Sequence, residues 1–163
     1  DRTLLINGFS KAFAMTGWRL GWAVGPEKLI AQMTKMQENI VACAPLPAQH
    51  AGIEALNKRT DTNYIREEFQ RRRDLIYDGI NAIDGLACRP VPATFYAFVD
   101  IGRTELRAED FVYRLLDCRR VAVVHGSAYG GSRYDRYIRI AFTLEEEKLK
   151  EALRRIRMFM ASL

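Results

Sequence analysis

Residues that build metal centres and disulfide frameworks are scarce in this chain, which has three cysteines and two histidines among 163 residues. Cys43, Cys88 and Cys118 are widely spaced and odd in number, with no CxxC and no metal-ligand spacing. That excludes a disulfide scaffold and a zinc ribbon, and it suits the reduced thiols of a cytoplasmic protein. No metal site is expected. There is no signal peptide, and no apolar run is long enough to cross a bilayer. The chain opens on Asp1 rather than Met, and a strand-like run, Thr3-Leu4-Leu5-Ile6, begins almost at once. A domain seldom opens in mid-strand, so the sequence reads as a piece of a longer protein, and the missing signal carries little weight. Internal repeats and low-complexity tracts are also absent. Acidic residues are outnumbered, leaving a net charge of +5, a balance that can mark a nucleic-acid binder. The basic run Arg71-Arg72-Arg73 argues otherwise. Glu67 and Glu68 precede Arg71 and Arg72 by four residues, the favourable orientation for ion pairs on a helix surface. A solvated helix face is therefore preferred to a phosphate-binding stripe, and neither nucleic acid nor membrane is expected as a partner.

What the chain does have is apolar content, 48% of its residues, enough for a core. The first third reads as strand, loop, strand, helix. Strands are expected at Thr3–Ile6 and Leu20–Val24, joined by a small-residue loop from Asn7 to Gly17, and both read as members of a larger sheet. A helix opens at Gly25-Pro26, with Leu29, Ile30, Met33, Met36 and Ile40 at helical spacing. Ala44-Pro45-Leu46-Pro47 breaks it, and a second helix follows over Ala48–Leu56. Asp61 or Thr62 can cap a long helix that runs to about Asp84. Its buried stripe is Ile65, Phe69, Ile76, Ile80 and Ile83, and Gly85 stops it.

The second half alternates strand and helix. Leu86–Arg89, Phe95–Ile101, Val121–Val124 and Tyr137–Phe142 read as strands. Ala108–Cys118 reads as a helix, with Glu109 and Asp110 in its first turn and Arg119-Arg120 at its end, as the helix dipole favours. Thr143 and Glu146 suggest a capping box for a last helix that buries Leu149, Ala152, Leu153, Ile156 and Phe159. The expected architecture is α/β, with an α+β-like C-terminal two-layer domain at 85–163, a helix between domains at 59–84, and an incomplete domain at 1–58.

One stretch stands out for its chemistry: Ser10-Lys11-Ala12-Phe13-Ala14-Met15-Thr16-Gly17-Trp18-Arg19-Leu20-Gly21-Trp22. A lysine follows an apolar strand, among small and apolar residues, with no carboxylate within six positions. Burial without a partner disfavours the charged form of a lysine, and a neutral amine can form a Schiff base with a carbonyl. Ser10 supplies a hydroxyl, Arg19 supplies planar donors suited to phosphate, and Gly17 and Gly21 allow close approach to a ligand. A loop lysine is nevertheless most often a solvated surface group, and an arginine before a strand most often an ion pair. Composition and spacing alone leave the site open.

The stretch resembles the lysine motif of the fold-type I pyridoxal-phosphate aminotransferases, the aspartate and aromatic aminotransferase family of class I/II. That motif reads S-K-x-F/Y-x-M-x-G-x-R-x-G, and every marked position is filled. Ala93-Thr94-Phe95-Tyr96, the turn Val121 to Ser127 and the strand Tyr137 to Phe142 resemble later landmarks of the family in the same order, so the likeness covers essentially the whole chain. It implies pyridoxal 5'-phosphate as cofactor, Lys11 as the Schiff-base lysine and proton shuttle, and Ser10 and Arg19 as ligands of the cofactor phosphate. It also implies Arg139 as the grip on the substrate α-carboxylate. Strand alternation lends Arg139 its own support, since Ile138, Ile140 and Phe142 would face the core and Arg139 the opposite way.

The implied reaction moves an amino group from an L-amino acid to a 2-oxo acid in a cytoplasmic homodimer. The family's acidic partner of the pyridine nitrogen, its ring-stacking aromatic and its phosphate loop lie upstream of the lysine, so this chain alone is expected to be inactive. A β-lyase or synthase of the same fold, and the aminotransferase-like domain of a transcription regulator, are the alternative readings. Two positions depart from the pattern: His125 stands where proline is usual, and Ala93 where glycine is usual. Neither His125 nor His50 is favoured as a catalytic base.

Overall fold

A computed structural model describes residues 2–57 and 62–163. The chain divides into two compact units, Asp1–Arg66 and Glu67–Leu163. In the first, β1 (Leu5–Gly8) and β2 (Gly21–Val24) pair antiparallel, from Leu5 opposite Val24 to Gly8 opposite Gly21. Both strands begin later than their apolar runs. A Cβ on Gly21 would lie 3.0 Å from the Asn7 carbonyl oxygen, so this glycine serves the strand pair rather than the approach of a ligand. No third strand joins the pair among the described residues.

Helix α1 (Glu27–Val41) and helix α2 (Leu46–Asn57) follow. The apolar positions of α1 have helical spacing but none is buried, and Ile40 is 71% exposed. In α2, Pro47 sits in the first turn, where no amide hydrogen is required, and the helix opens with the Gln49 amide donating to the Pro45 carbonyl at 3.1 Å.

Helix α3 (Asn63–Asn81) starts after Thr62, whose carbonyl accepts the Arg66 amide at 3.0 Å. Asp61, the other expected cap, lies outside the described residues. Gly85, in the left-handed region at φ 86°, ends the turn that follows. Glu68 on α3 takes ion pairs from both Arg71 and Arg72.

The second unit is built on a four-stranded sheet of β3 (Ala87–Cys88), β4 (Tyr96–Asp100), β5 (Val124–His125) and β6 (Tyr137–Ala141). Its spatial order is β3-β4-β6-β5 and every pairing is antiparallel. Helix α4 (Ala108–Arg119), the single-turn α5 (Ser127–Gly130) and helix α6 (Glu146–Met160) complete it. Ile80, Val99, Phe111, Ile138, Phe142 and Leu149 are at most 2% exposed and belong to one core. Burial of each such side chain contributes about 1.5–3 kcal/mol. The residues between them on β4 and β6, among them Tyr96, Phe98, Tyr137 and Arg139, lie on the open face of the sheet. An antiparallel sheet with helices on one face is the two-layer arrangement expected for this half of the chain.

Two local expectations are corrected. Val121–Val123 are not in a strand, because the ladder with β6 forms only at Val124 and His125. The segment and its would-be partners Ile140 and Ala141 line a cavity of about 550 Å³ instead. Thr143 does not cap α6. The helix begins after Glu145, whose carbonyl accepts the Leu149 amide at 3.1 Å, while the Thr143 carbonyl accepts from Arg72 at 3.0 Å. The dipole-complementing charges of α4 stand as expected.

Across the sheet edge, Arg136 Nη2 donates to both Asp100 carboxylate oxygens, at 3.0 and 2.8 Å. Burial alone would raise the Asp100 pKa, but the donors from Arg136 and from the Gly102 amide prevail and hold it below the ordinary aspartate range. No helix among the described residues is long and apolar enough to cross a membrane.

The cysteines provide a direct check on this fold. Cys88 is buried, and burial pushes its thiol pKa up, whereas Cys43 and Cys118 are exposed. A thiol reagent should label Cys43 and Cys118 quickly and reach Cys88 only in denaturant. Equal labelling rates under native conditions would contradict the placement of β3.

Candidate active site

The expected site residues fall in both units: Ser10, Lys11 and Arg19 in the first, Arg139 in the second. In the first, the β1–β2 ladder continues one step beyond its last strand pair, where the Phe9 amide donates to the Leu20 carbonyl at 3.2 Å. Ser10 follows Phe9 and Arg19 precedes Leu20, so the two residues flank this last backbone bond at the closed end of the ladder. Lys11 lies in the loop they flank.

That loop is fixed by its own backbone. The Phe9 carbonyl accepts the amides of both Phe13 and Met15 at 3.3 Å, and the Lys11 carbonyl accepts that of Ala14 at 3.2 Å. Ala14 and Arg19 are left-handed, at φ 53° and 50°, so the chain turns sharply on each side of Gly17. Phe9 and Met15 are buried and anchor the loop, and the Phe9 ring lies 5.3 Å from that of Phe13. Below it, a Cβ on Gly52 would come within 2.5 Å of Leu20 Cδ2 and 3.3 Å of the Phe9 ring. Gly52 carries no sequence signal beyond that of a glycine inside an otherwise helical stretch.

Lys11 and Arg19 are exposed and Ser10 is half-buried. The burial expected at Lys11 is therefore not supplied by this unit. Arg19 donates from Nη1 to the Thr16 carbonyl at 2.9 Å, which steadies the guanidinium and leaves Nε and Nη2 for a ligand. A hydroxyl and a guanidinium beside a loop amine form a donor set that fits a phosphate carried on a carbonyl compound.

In the second unit Arg139 stands opposite Phe98 on β4 and Val124 on β5. Its neighbours Ile138 and Ile140 are buried, so the side chain points to the open face, as alternation requires. Its Cζ lies 4.1 Å from the Tyr96 ring centroid and 4.5 Å from that of Tyr129. No carboxylate among the described residues pairs with it, and its Nε is enclosed without a hydrogen-bond partner. A half-buried cation lacking a counter-charge fits an incoming anion.

Neighbouring residues shape this cation site. His125 Nδ1 is 2.7 Å from Ser127 Oγ, a bond that pins the turn carrying Tyr129 and gives His125 a structural place. Ala93 does not need a glycine-like conformation. The left-handed residue is the next one, Thr94, at φ 73°. His50 is exposed on α2. Among the described residues, no group of three His, Cys, Asp or Glu side chains could hold a metal ion.

The family model for aminotransferase class I and II matches residues 1–156. The chain belongs to the class I and II aminotransferases. This aminotransferase chain is 44% identical over 167 residues to an aspartate aminotransferase of Rhizobium meliloti strain 1021, a match that covers 96% of the chain and 40% of that relative. The crystal structure of the aspartate aminotransferase from Rhizobium meliloti superposes with a TM-score of 0.92 at 42% identity, over 99% of this chain and 42% of that one. The structure of an aromatic aminotransferase from Pyrococcus horikoshii gives 0.93 at 37% identity, over 99% and 43%. The aminotransferase chain thus spans about two fifths of the length of these relatives.

The turn that carries Tyr129 tests the geometry around Arg139. A Cβ on Gly126 would lie 2.6 Å from the Tyr134 carbonyl oxygen and 2.8 Å from that of Tyr137, two backbone atoms that cannot swing aside. Gly126→Ala should therefore destabilise the second unit by about 1–3 kcal/mol, as overpacking does. Urea denaturation checks this, and unchanged stability would mean that the turn is looser than described.

Proposed function

We propose that this chain carries the lysine and the carboxylate grip of a pyridoxal-phosphate-dependent aminotransferase, an enzyme that moves an amino group from an L-amino acid to a 2-oxo acid. The observation that carries the reading is the closed end of the β1–β2 ladder, where the bonded pair Phe9 and Leu20 is followed by Ser10 on one side and preceded by Arg19 on the other, at the two ends of the Lys11 loop within a complete family motif. Bound pyridoxal 5'-phosphate would supply a carbonyl for the incoming nitrogen and a ring that withdraws electrons from the substrate Cα.

The chain's own residues then have separable tasks. The Ser10 hydroxyl and the free donors of Arg19 would bind the cofactor phosphate through charge-assisted hydrogen bonds. Lys11 Nζ would hold the cofactor through its carbonyl, and it is the amine that would accept and return the substrate Cα proton. Arg139 binds the α-carboxylate and orients that Cα–H bond. Lys11 is exposed in this unit, so its desolvation has to come from the groups that close over it in the assembled holoenzyme.

We read that holoenzyme as a cytoplasmic homodimer with residues 1–58 in its cofactor-holding domain, 59–84 as the connection that contains α3, and 85–163 as the small domain. The Tyr96 and Tyr129 rings beside Arg139 leave its charge uncompensated, which fits the carboxylate of an amino acid.

Borohydride reduction of the holoenzyme followed by peptide mass spectrometry should place the phosphopyridoxyl group on Lys11. Label on a different lysine would remove Lys11 from the chemistry.

A further inference from the structure

We propose that Tyr96 and Tyr129 are positioning residues for Arg139, bracketing its guanidinium so that only the terminal nitrogens are offered, end-on, to a substrate carboxylate. The proposal rests on the reading of Arg139 as the carboxylate grip and adds how the grip is held.

The rings lie 4.1 and 4.5 Å from Arg139 Cζ, well within the range of a cation–π contact. A carboxylate in their place would fix the guanidinium equally well but would neutralise it and compete with the substrate. Ring faces attract the cation through their quadrupole and leave its charge available to an anion. Nε is enclosed without a partner. The fork that remains is the Nη1–Nη2 pair, whose parallel N–H bonds match the two oxygens of a carboxylate.

Two distant segments are each shaped to deliver a ring. Ahead of Tyr96, Thr94 sits at φ 73°, a rare conformation for a β-branched residue. Its Oγ1 accepts the Tyr96 amide at 3.1 Å, so the strained residue sets the point at which Tyr96 enters β4. On the other side, Tyr129 rides on α5. The Tyr129 amide donates to the Gly126 carbonyl at 2.9 Å, and the Gly126 amide donates to the Tyr137 carbonyl at 2.7 Å. That second bond ties α5 to β6, the strand that bears Arg139. The two sets of contacts share no residue, yet both deliver a tyrosine to the same cation.

The test uses the holoenzyme and a non-reacting carboxylate, succinate, with binding followed by calorimetry alongside KM and kcat for an amino acid substrate. Tyr96→Leu and Tyr129→Leu should each weaken succinate binding by roughly threefold to thirtyfold and raise KM by a similar factor, with a smaller fall in kcat. Tyr96→Phe and Tyr129→Phe should restore succinate affinity, because ring faces make the contact. Tyr129 is 51% exposed, so its variants should fold even if Tyr96→Leu does not.

Wild-type succinate affinity in the leucine variants overturns the proposal, as does a phenylalanine variant that loses as much as the leucine one. Arg139→Ala separates the two layers of the argument. If it keeps wild-type succinate affinity, the carboxylate reading itself fails. If it loses affinity while the leucine variants do not, only the bracket fails.

Discussion

The antiparallel pairing of β4 with β6, five residue pairs from Tyr96 opposite Ala141 to Asp100 opposite Tyr137, is the constraint on which the second unit turns. Side chains alternate along both strands, so a slip of one residue would send Ile138 and Ile140 to the open face and drive Arg139 into the core. Burial of Ile138, Ile140 and Phe142 beneath the helices forbids that slip. The hydrophobic core thereby fixes the direction of a charged side chain that takes no part in it. The Arg136–Asp100 pair holds the far end of the same two strands. Stability and site geometry share one register.

The first unit achieves closure by different means. It has little core of its own, with Phe9, Met15 and Ala48 as its buried apolar residues. Close backbone approach does the work instead. Gly8 faces Gly21 across the ladder and Gly52 lets α2 press against Phe9 and Leu20. The ladder end flanked by Ser10 and Arg19 is closed in this way, while Lys11 remains exposed. The apolar face of α1 belongs to the same economy: its spacing is amphipathic, yet Ile30 and Met33 are only half-buried and Leu29, Met36 and Ile40 are exposed.

Much of this was legible in the sequence, for local reasons. The lysine loop is a contiguous motif, and its ends are joined by a short antiparallel pair. The direction of Arg139 follows from two-residue alternation, and the stripe of α6 from helical spacing. What could not be read depended on distant partners. Val121–Val123 are apolar enough for a strand but have no ladder partner at those positions. Thr143 and Glu146 have capping-box spacing, but the helix starts at Glu146 with Glu145 as its cap, which leaves Thr143 two residues too early to cap it. The left-handed Thr94 and the convergence of Tyr96 and Tyr129 on one guanidinium arise only once β4, β6 and α5 are assembled.

Arg139, held by the sheet as a carboxylate receptor, is the residue on which the function of the second unit depends. The most direct measurement compares kcat/KM for an amino acid and for the same amine without its carboxylate, in the wild-type holoenzyme and in Arg139→Ala. Hydrogen bonds to a charged group are worth about 1.5–3 kcal/mol, so the amino acid should lose roughly tenfold to a hundredfold while the amine is little changed. A fall of equal size for both substrates, or for neither, would contradict that role.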